Sequence, residues 1–173
     1  IFDKEKLTYF NSEYIRTLPP GRFAALAEPY IRQAVKNLAL DAGEIAELLQ
    51  PRCEKLKDIP EKIDFFDTLP EYDTELYVHK KSKTDKAISL RMLNAVLPVL
   101  KSLPEWTQEA IHDALIGLAE KLETKNATLM WPLRIAAAGK AVTPGGAVEI
   151  CRILGREESL LRIETGIKKL KEG

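Results

Sequence analysis

The residues best suited to chemistry lie in one stretch, "LMWPLRIAAAGKAVTPGGAVEI", from Leu129 to Ile150. Arg134 offers a planar guanidinium that can stack on a base or grip it with two parallel bonds, and Lys140 offers a compact charge suited to phosphate. Thr143 is a good helix N-cap, Pro144 suits the first helical position, and Gly145 and Gly146 follow. A helix starting there would open with a first turn bare of side chains. Its unpaired N–H groups and positive dipole end would then be accessible to an anion or a base edge. A structural reading of the same residues stays open: the glycines let helices pack closely and Arg134 pairs with an acid.

Elsewhere the residues for catalysis are missing. His79 and His112 are the only histidines, on different predicted elements, and neither has a cysteine or a pair of carboxylates nearby. His112 reads as a solvated helix side chain. Cys53 and Cys151 lack ligand spacing, so neither a zinc site nor a disulfide framework is expected, and both read as small buried or half-buried side chains. Asp64 and Asp67 are two acids in a loop. No Gly-rich phosphate loop follows a strand. No catalytic residue, metal ligand or bound cofactor is assigned to this chain. The net charge is zero, but residues 1–80 hold 11 Lys/Arg against 15 Asp/Glu, and residues 81–173 hold 15 against 11. That asymmetry hints at a polyanionic partner for the C-terminal part, although solvated helix faces would produce it too.

The elements that must position these residues are all helical. No stretch alternates apolar and polar residues over a strand's length, whereas helical spacing recurs throughout. "FDKEKLTYFNSEYIRTL" offers Asp3 as a cap and Leu7, Phe10, Tyr14 and Ile15 as an apolar face. "PPGRFAALAEPYIRQAVKN" places Phe23, Leu26, Ile31 and Val35 inward, with Pro29 expected to break or kink it. Asp41 caps the next helix, which Pro51 divides, and Ile63, Phe65 and Phe66 join the core beneath. The polar stretch 73–86 is the candidate boundary between two helical units. Two amphipathic helices follow, from "AISLRMLNAVLPVLKSL" and "EWTQEAIHDALIGLAEKLE", joined by a short turn. Further helices are predicted at about 127–138, 144–154 and 157–170, with Gly139 and Gly155 at C-terminal caps. The prediction is an all-α chain of two small helical bundles in tandem, residues 1–78 and 84–173. A bilayer-spanning run and a basic-then-apolar leader are both absent from the sequence, so a soluble, cytoplasmic protein without a membrane partner is expected; oligomeric state is not readable from the residues, and the working expectation is a monomer with no DNA partner.

At the opening stretch the sequence resembles the C-terminal end of bacterial-type glutamyl-tRNA synthetase. The family's Pro-Leu-Arg-(Ile/Val)-Ala-x-x-Gly segment is matched by Pro132 to Ala136 with Gly139, its Pro-Gly turn by Pro144 to Gly146, and its Leu-Gly-(Lys/Arg)-Glu helix end by Leu154 to Glu157. "FDKEKLTYFNSEYIR" is similar to the segment after that family's catalytic lysine loop, with Lys6, Leu7, Asn11, Tyr14 and Ile15 matching. "EWTQEAIHDALIGLAEKLETK" looks like its penultimate helix pair. The likeness covers almost the whole chain and is weak over residues 72–90. "KKSKT", Lys80 to Thr84, is superficially similar to the ATP-binding lysine loop itself. That loop works beside a parallel sheet, so a charged linker is the better reading here.

The resemblance implies a class I aminoacyl-tRNA synthetase that attaches glutamate to tRNA using ATP and Mg²⁺. It implies too that the nucleotide-binding catalytic domain precedes Ile1, leaving this chain inactive by itself. Residues 1–78 would bridge the catalytic core to the tRNA stem, and residues 84–173 would read the anticodon. The resemblance assigns Arg134, Thr143, Pro144, Gly145 and Gly146 to the anticodon-facing surface; Lys140 is added from charge and position. The family often carries a hydroxyl where this chain has the Ala137–Ala138 pair. The alternative from the residues alone is a helical protein–protein interaction module without RNA binding.

Overall fold

The computed structural model describes residues 12–173, and among them there are helices and turns but no strand; the one β-bridge pairs His79 with Thr84. Asp3, Lys6, Leu7, Phe10 and Asn11, singled out in the sequence, lie outside the described residues. Residues 12–17 are helical, with Ile15 buried and Tyr14 exposed. The contacts divide the chain into two compact units: one runs to Thr68 and includes Thr143–Gly145, and the other is Leu69–Val142 with Gly146–Gly173.

The first unit is built on α1 (Pro20–Ala34), α2 (Ala42–Leu49) and the short α3 (Ile59–Ile63). Phe23, Ala27 and Ile31, spaced by four, form the buried face of α1, while Leu26 stays exposed. Pro29 does not break α1. Position 29 is exposed, so the carbonyl that its missing N–H leaves unpaired can bond water. Asp41 caps α2 as expected, accepting from the N–H groups of Gly43 at 2.7 Å and Glu44 at 3.4 Å. After Leu49 the chain tightens into a 3₁₀ turn at Gln50–Arg52, where Pro51 sits. Asp67 is structural: its carboxylate accepts from the backbone N–H of Lys36 at 2.8 Å and Asn37 at 3.1 Å, closing the turn beyond α1. Gln50 donates to the carbonyls of Ile15 and Leu18, tying the segment before α1 to this core.

The second unit contains α4 (Lys86–Lys101), α5 (Gln108–Lys121), α6 (Asn126–Ala138), α7 (Ala147–Leu154) and α8 (Arg156–Glu172). Caps define the first two starts, with Asp85 accepting from Ile88 N–H and Thr107 from Ala110 N–H. Gly139 and Gly155 end α6 and α7 at positive φ. Met92, Leu93, Val96 and Leu100 of α4 pack with Leu129 and Leu133 of α6 and Ile163 of α8 in a core that excludes water. Helix α8 approaches closely because Gly166 has no side chain: a Cβ there would lie 2.6 Å from the Tyr77 hydroxyl and 3.2 Å from Ala136 Cβ. Arg162 is also buried, and its charge is satisfied by Glu158, 2.9 Å from Nε, and by the Ala137 carbonyl, 2.7 Å from Nη1.

The lysine-rich stretch belongs to this second unit and is ordered. Its few anchors bury well: Tyr77 is inaccessible, and its carbonyl accepts from Thr84 and Ser89 hydroxyls. Thr128 of α6 donates to the Ser82 carbonyl at 2.7 Å. Polar residues therefore build a packed turn where apolar periodicity signals nothing.

Two outcomes test this packing. Gly166→Ala should gain about 1 kcal/mol of helix propensity but lose about 1–3 kcal/mol to overpacking. A net drop in the urea midpoint is expected, and an unchanged midpoint would mean that Tyr77 yields easily. Cys151 is fully buried, and burial pushes its thiol up to about 12 from an ordinary value of 9.0. The folded thiol stays neutral while the unfolded one ionises, so stability should be unaffected below pH 9 and decline as pH rises from there towards about 12. Chemical denaturation across that range reads the slope, and iodoacetamide at mildly alkaline pH should label Cys151 only after unfolding.

Candidate nucleic-acid interface

In the second unit the site is organised around Trp131. Its indole N–H donates to the Leu76 carbonyl at 2.9 Å, and the His79 ring stacks on it with centroids 3.7 Å apart and planes 6° from parallel. Arg134 lies three residues further along α6, on the same face, with its guanidinium carbon 4.7 Å from the Trp131 ring centroid. His79 in turn holds the lysine turn, since Nδ1 accepts from Ser82 N–H at 3.3 Å and lies 2.8 Å from the Ser82 hydroxyl. Lys80, Lys81 and Lys83 stand exposed on that turn.

Arg134 bonds carbonyls rather than extending freely into solvent. It donates to Ala141 O at 2.7 Å and Lys140 O at 3.4 Å, so it shapes the loop after α6. Burial pulls its pKa below the ordinary arginine value, yet the guanidinium stays cationic at neutral pH. The loop it holds carries half-buried Lys140, exposed Ala141 and Val142, the latter 86% exposed. Ala137 and Ala138 face the core with no exposure, so their side chains are not available for an RNA contact, hydroxyl or otherwise.

The start of α7 differs from the expected one. The helix begins at Ala147, three residues beyond Pro144, and the N-cap is Gly146 rather than Thr143. Gly146 N–H donates to the Glu149 carboxylate at 2.8 Å, so the dipole end already has an anion of its own chain. Its first turn is not bare either, with Ala147 and Val148 buried. The reason is local: Glu149 stands at the third helical position, where a carboxylate reaches back to the cap.

Thr143, Pro144 and Gly145 group with the first unit. The Thr143 hydroxyl donates to Gly145 O at 2.9 Å, which closes a turn instead of capping a helix, and Pro144 is buried. Gly145 has φ 82°, and a Cβ there would collide with Leu48, so both backbone and space demand glycine. Of the six residues chosen from sequence, the structure thus brings Arg134 to Lys140 and Thr143 to Gly145, and gives Gly146 a capping role in α7. His79 was not among the six. Its one sequence signal is a lone histidine ahead of "KKSK", and only the fold places it on Trp131. Among the described residues, no group of three side chains could hold a metal ion.

The family described as anticodon binding domain matches residues 22–167. The glutamate–tRNA ligase of Clostridium tetani (strain Massachusetts / E88) is 50% identical over 171 residues, 99% of this chain and 35% of the relative. That of Clostridium kluyveri is 49% identical over 172 residues, with the same shares. The chain therefore spans about a third of the length of these relatives. Among solved structures, a glutamate tRNA ligase from Elizabethkingia meningosepticum in complex with its amino acid superposes with TM-score 0.80 at 22% identity, covering 98% of this chain and 33% of that one. The glutamate-tRNA synthetase of Elizabethkingia anophelis gives 0.77 at 24%, covering 96% and 32%. At such identities the likeness speaks for the fold. With the family matched over most of its length, the chain belongs to the anticodon binding domain family.

Proposed function

We propose that the chain is the tRNA-binding C-terminal part of a glutamate–tRNA ligase and engages the anticodon loop of a glutamate-accepting tRNA. The observation that carries this reading is the anticodon-binding family match over residues 22–167, in a chain half identical to such a ligase along nearly its whole length. Attachment of glutamate with ATP and Mg²⁺ belongs to the whole protein, whose catalytic domain precedes these residues and partners them. That protein acts as a cytoplasmic monomer. Among the described residues no helix is long and apolar enough to cross a membrane. Residues 1–78 contact the tRNA stem and residues 84–173 the anticodon.

In this reading the residues have distinct parts. Anticodon bases are unstacked, and proteins recognise such bases by stacking, edge hydrogen bonds and charge. Arg134 holds the 139–142 loop through two carbonyls, which presents Lys140 as a phosphate partner. Thr143, Pro144, Gly145 and Gly146 shape the backbone that follows this loop, through the Thr143 bond to Gly145 O and the Gly146 N–H bond to Glu149, and offer the RNA no free side chain. Rigid presentation matters because ordering a loop on binding subtracts from affinity.

Two experiments bear on this. Binding of the chain to a glutamate-accepting tRNA should be weak and should fall steadily as salt rises; binding indifferent to salt, or absent at low salt, would refute the reading. Arg134→Ala should weaken binding by about 1–3 kcal/mol, as for a base-contact residue, with Arg134→Lys recovering little because lysine lacks the two-pronged donor. If Arg134→Ala melts earlier yet binds as the parent does, the arginine is purely structural.

A further inference from the structure

We infer that a cleft of the second unit lined by Lys83, Arg91 and Lys125 holds a phosphate of the RNA backbone, in addition to the surface around Trp131 and Arg134. The inference rests on the tRNA-binding reading and adds a contact that the family match does not assign. The cleft has a volume of about 310 Å³ and is completed by Ile88, Glu123, Thr124 and Thr128. Its three cations come from three places in the fold: the lysine turn, helix α4, and the residue just before α6. All three are exposed, and among the described residues none forms an ion pair or a side-chain hydrogen bond. One carboxylate, Glu123, faces three like charges. Cations gathered in a cleft without partners repel one another and concentrate an anion there.

The backbone marks the same place. Lys83 at φ 56° and Glu123 at φ 53° are the only non-glycine residues with positive φ among the described residues, and both line this cleft. Glu123 takes the left-handed conformation that closes the end of α5, and Lys83 the one that closes the turn between His79 and Thr84, so both chain reversals meet at the cleft. Here Lys83 is imposed by the paired His79–Thr84 backbone bonds and the Thr128 bond to Ser82 O, and Glu123 by the Thr124 N–H bond to Ala119 O at 3.0 Å. No aromatic ring lines the cleft, so it offers no stacking platform for a base. Phosphate contacts of this kind set register without reading sequence. The cleft is also tied to the anticodon surface, because the turn bearing Lys83 carries His79, which stacks on Trp131.

The test uses the whole chain with Lys83→Gln, Arg91→Gln and Lys125→Gln, singly and together. The probes are an unmodified transcript of a glutamate-accepting tRNA and the same transcript with its anticodon bases replaced. Fluorescence anisotropy from about 50 to about 200 mM salt should show each variant losing affinity for both transcripts by the same factor. The slope of log K against log salt should shrink by about 0.7–0.9 per cation removed. Circular dichroism melts check folding, and Arg91→Gln and Lys125→Gln avoid the positive-φ position. A folded triple variant that keeps the parent's slope, while Arg134→Ala loses affinity, overturns this inference alone. Losses confined to the unaltered anticodon overturn it too, because they mean base readout. Failure of the parent chain to bind either transcript at low salt overturns the proposed function and this inference with it.

Discussion

The second unit depends on how Trp131 is held. An indole in a helix surface buries a large apolar face only if its N–H finds an acceptor, and the Leu76 carbonyl supplies one at 2.9 Å. That bond fixes the turn before α4 against α6, and the His79 stack fixes the lysine turn against the same ring. Arg134 approaches the indole as well and reaches on to the loop after α6. One aromatic side chain thus couples two basic segments separated by more than fifty residues of chain.

The same economy governs the interior. Several polar groups that the helices bury are paired, in two cases with two donors on one acceptor. The Cys151 carbonyl accepts from the Trp106 indole and the Ser159 hydroxyl, and the Tyr77 carbonyl from two hydroxyls. The buried Arg162 is the sharpest case, since an isolated charge there would cost several kcal/mol. Its bond to Ala137 O terminates α6 from inside, on the face opposite to solvent, and leaves the loop after Gly139 to Arg134. The end of α6 is therefore held by one arginine from the core and by another from its own helix.

Much of this was legible in residue order where the signal is local. Asp41 caps α2 because a short acceptor precedes a helical run, and Gly139 and Gly155 stop helices where positive φ is needed. Helical spacing marked α4 and α5 as amphipathic, and the Pro-Leu-Arg and Pro-Gly motifs carried the resemblance. Local rules failed where two of them competed. Thr143 and Gly146 are both acceptable before a helix, and Glu149 decided for Gly146 by reaching back from the third position. Pro29 should disrupt a helix, but its cost falls when the orphaned carbonyl faces water.

By itself the sequence determined the class of fold, the positions of most helices and the kinship, because periodicity, caps and motif order are all properties of neighbouring residues. The tertiary structure alone decided which groups remain available at the surface. It directed Arg134 onto its own loop, turned Ala137 and Ala138 inward, packed Gly145 against Leu48, and folded the lysine stretch onto Trp131 instead of leaving it a linker. The packing of Gly145 on Leu48 and of His79 on Trp131 joins residues distant in the chain. Hydrogen-bond satisfaction and steric fit at such contacts depend on three-dimensional neighbours that no local pattern encodes.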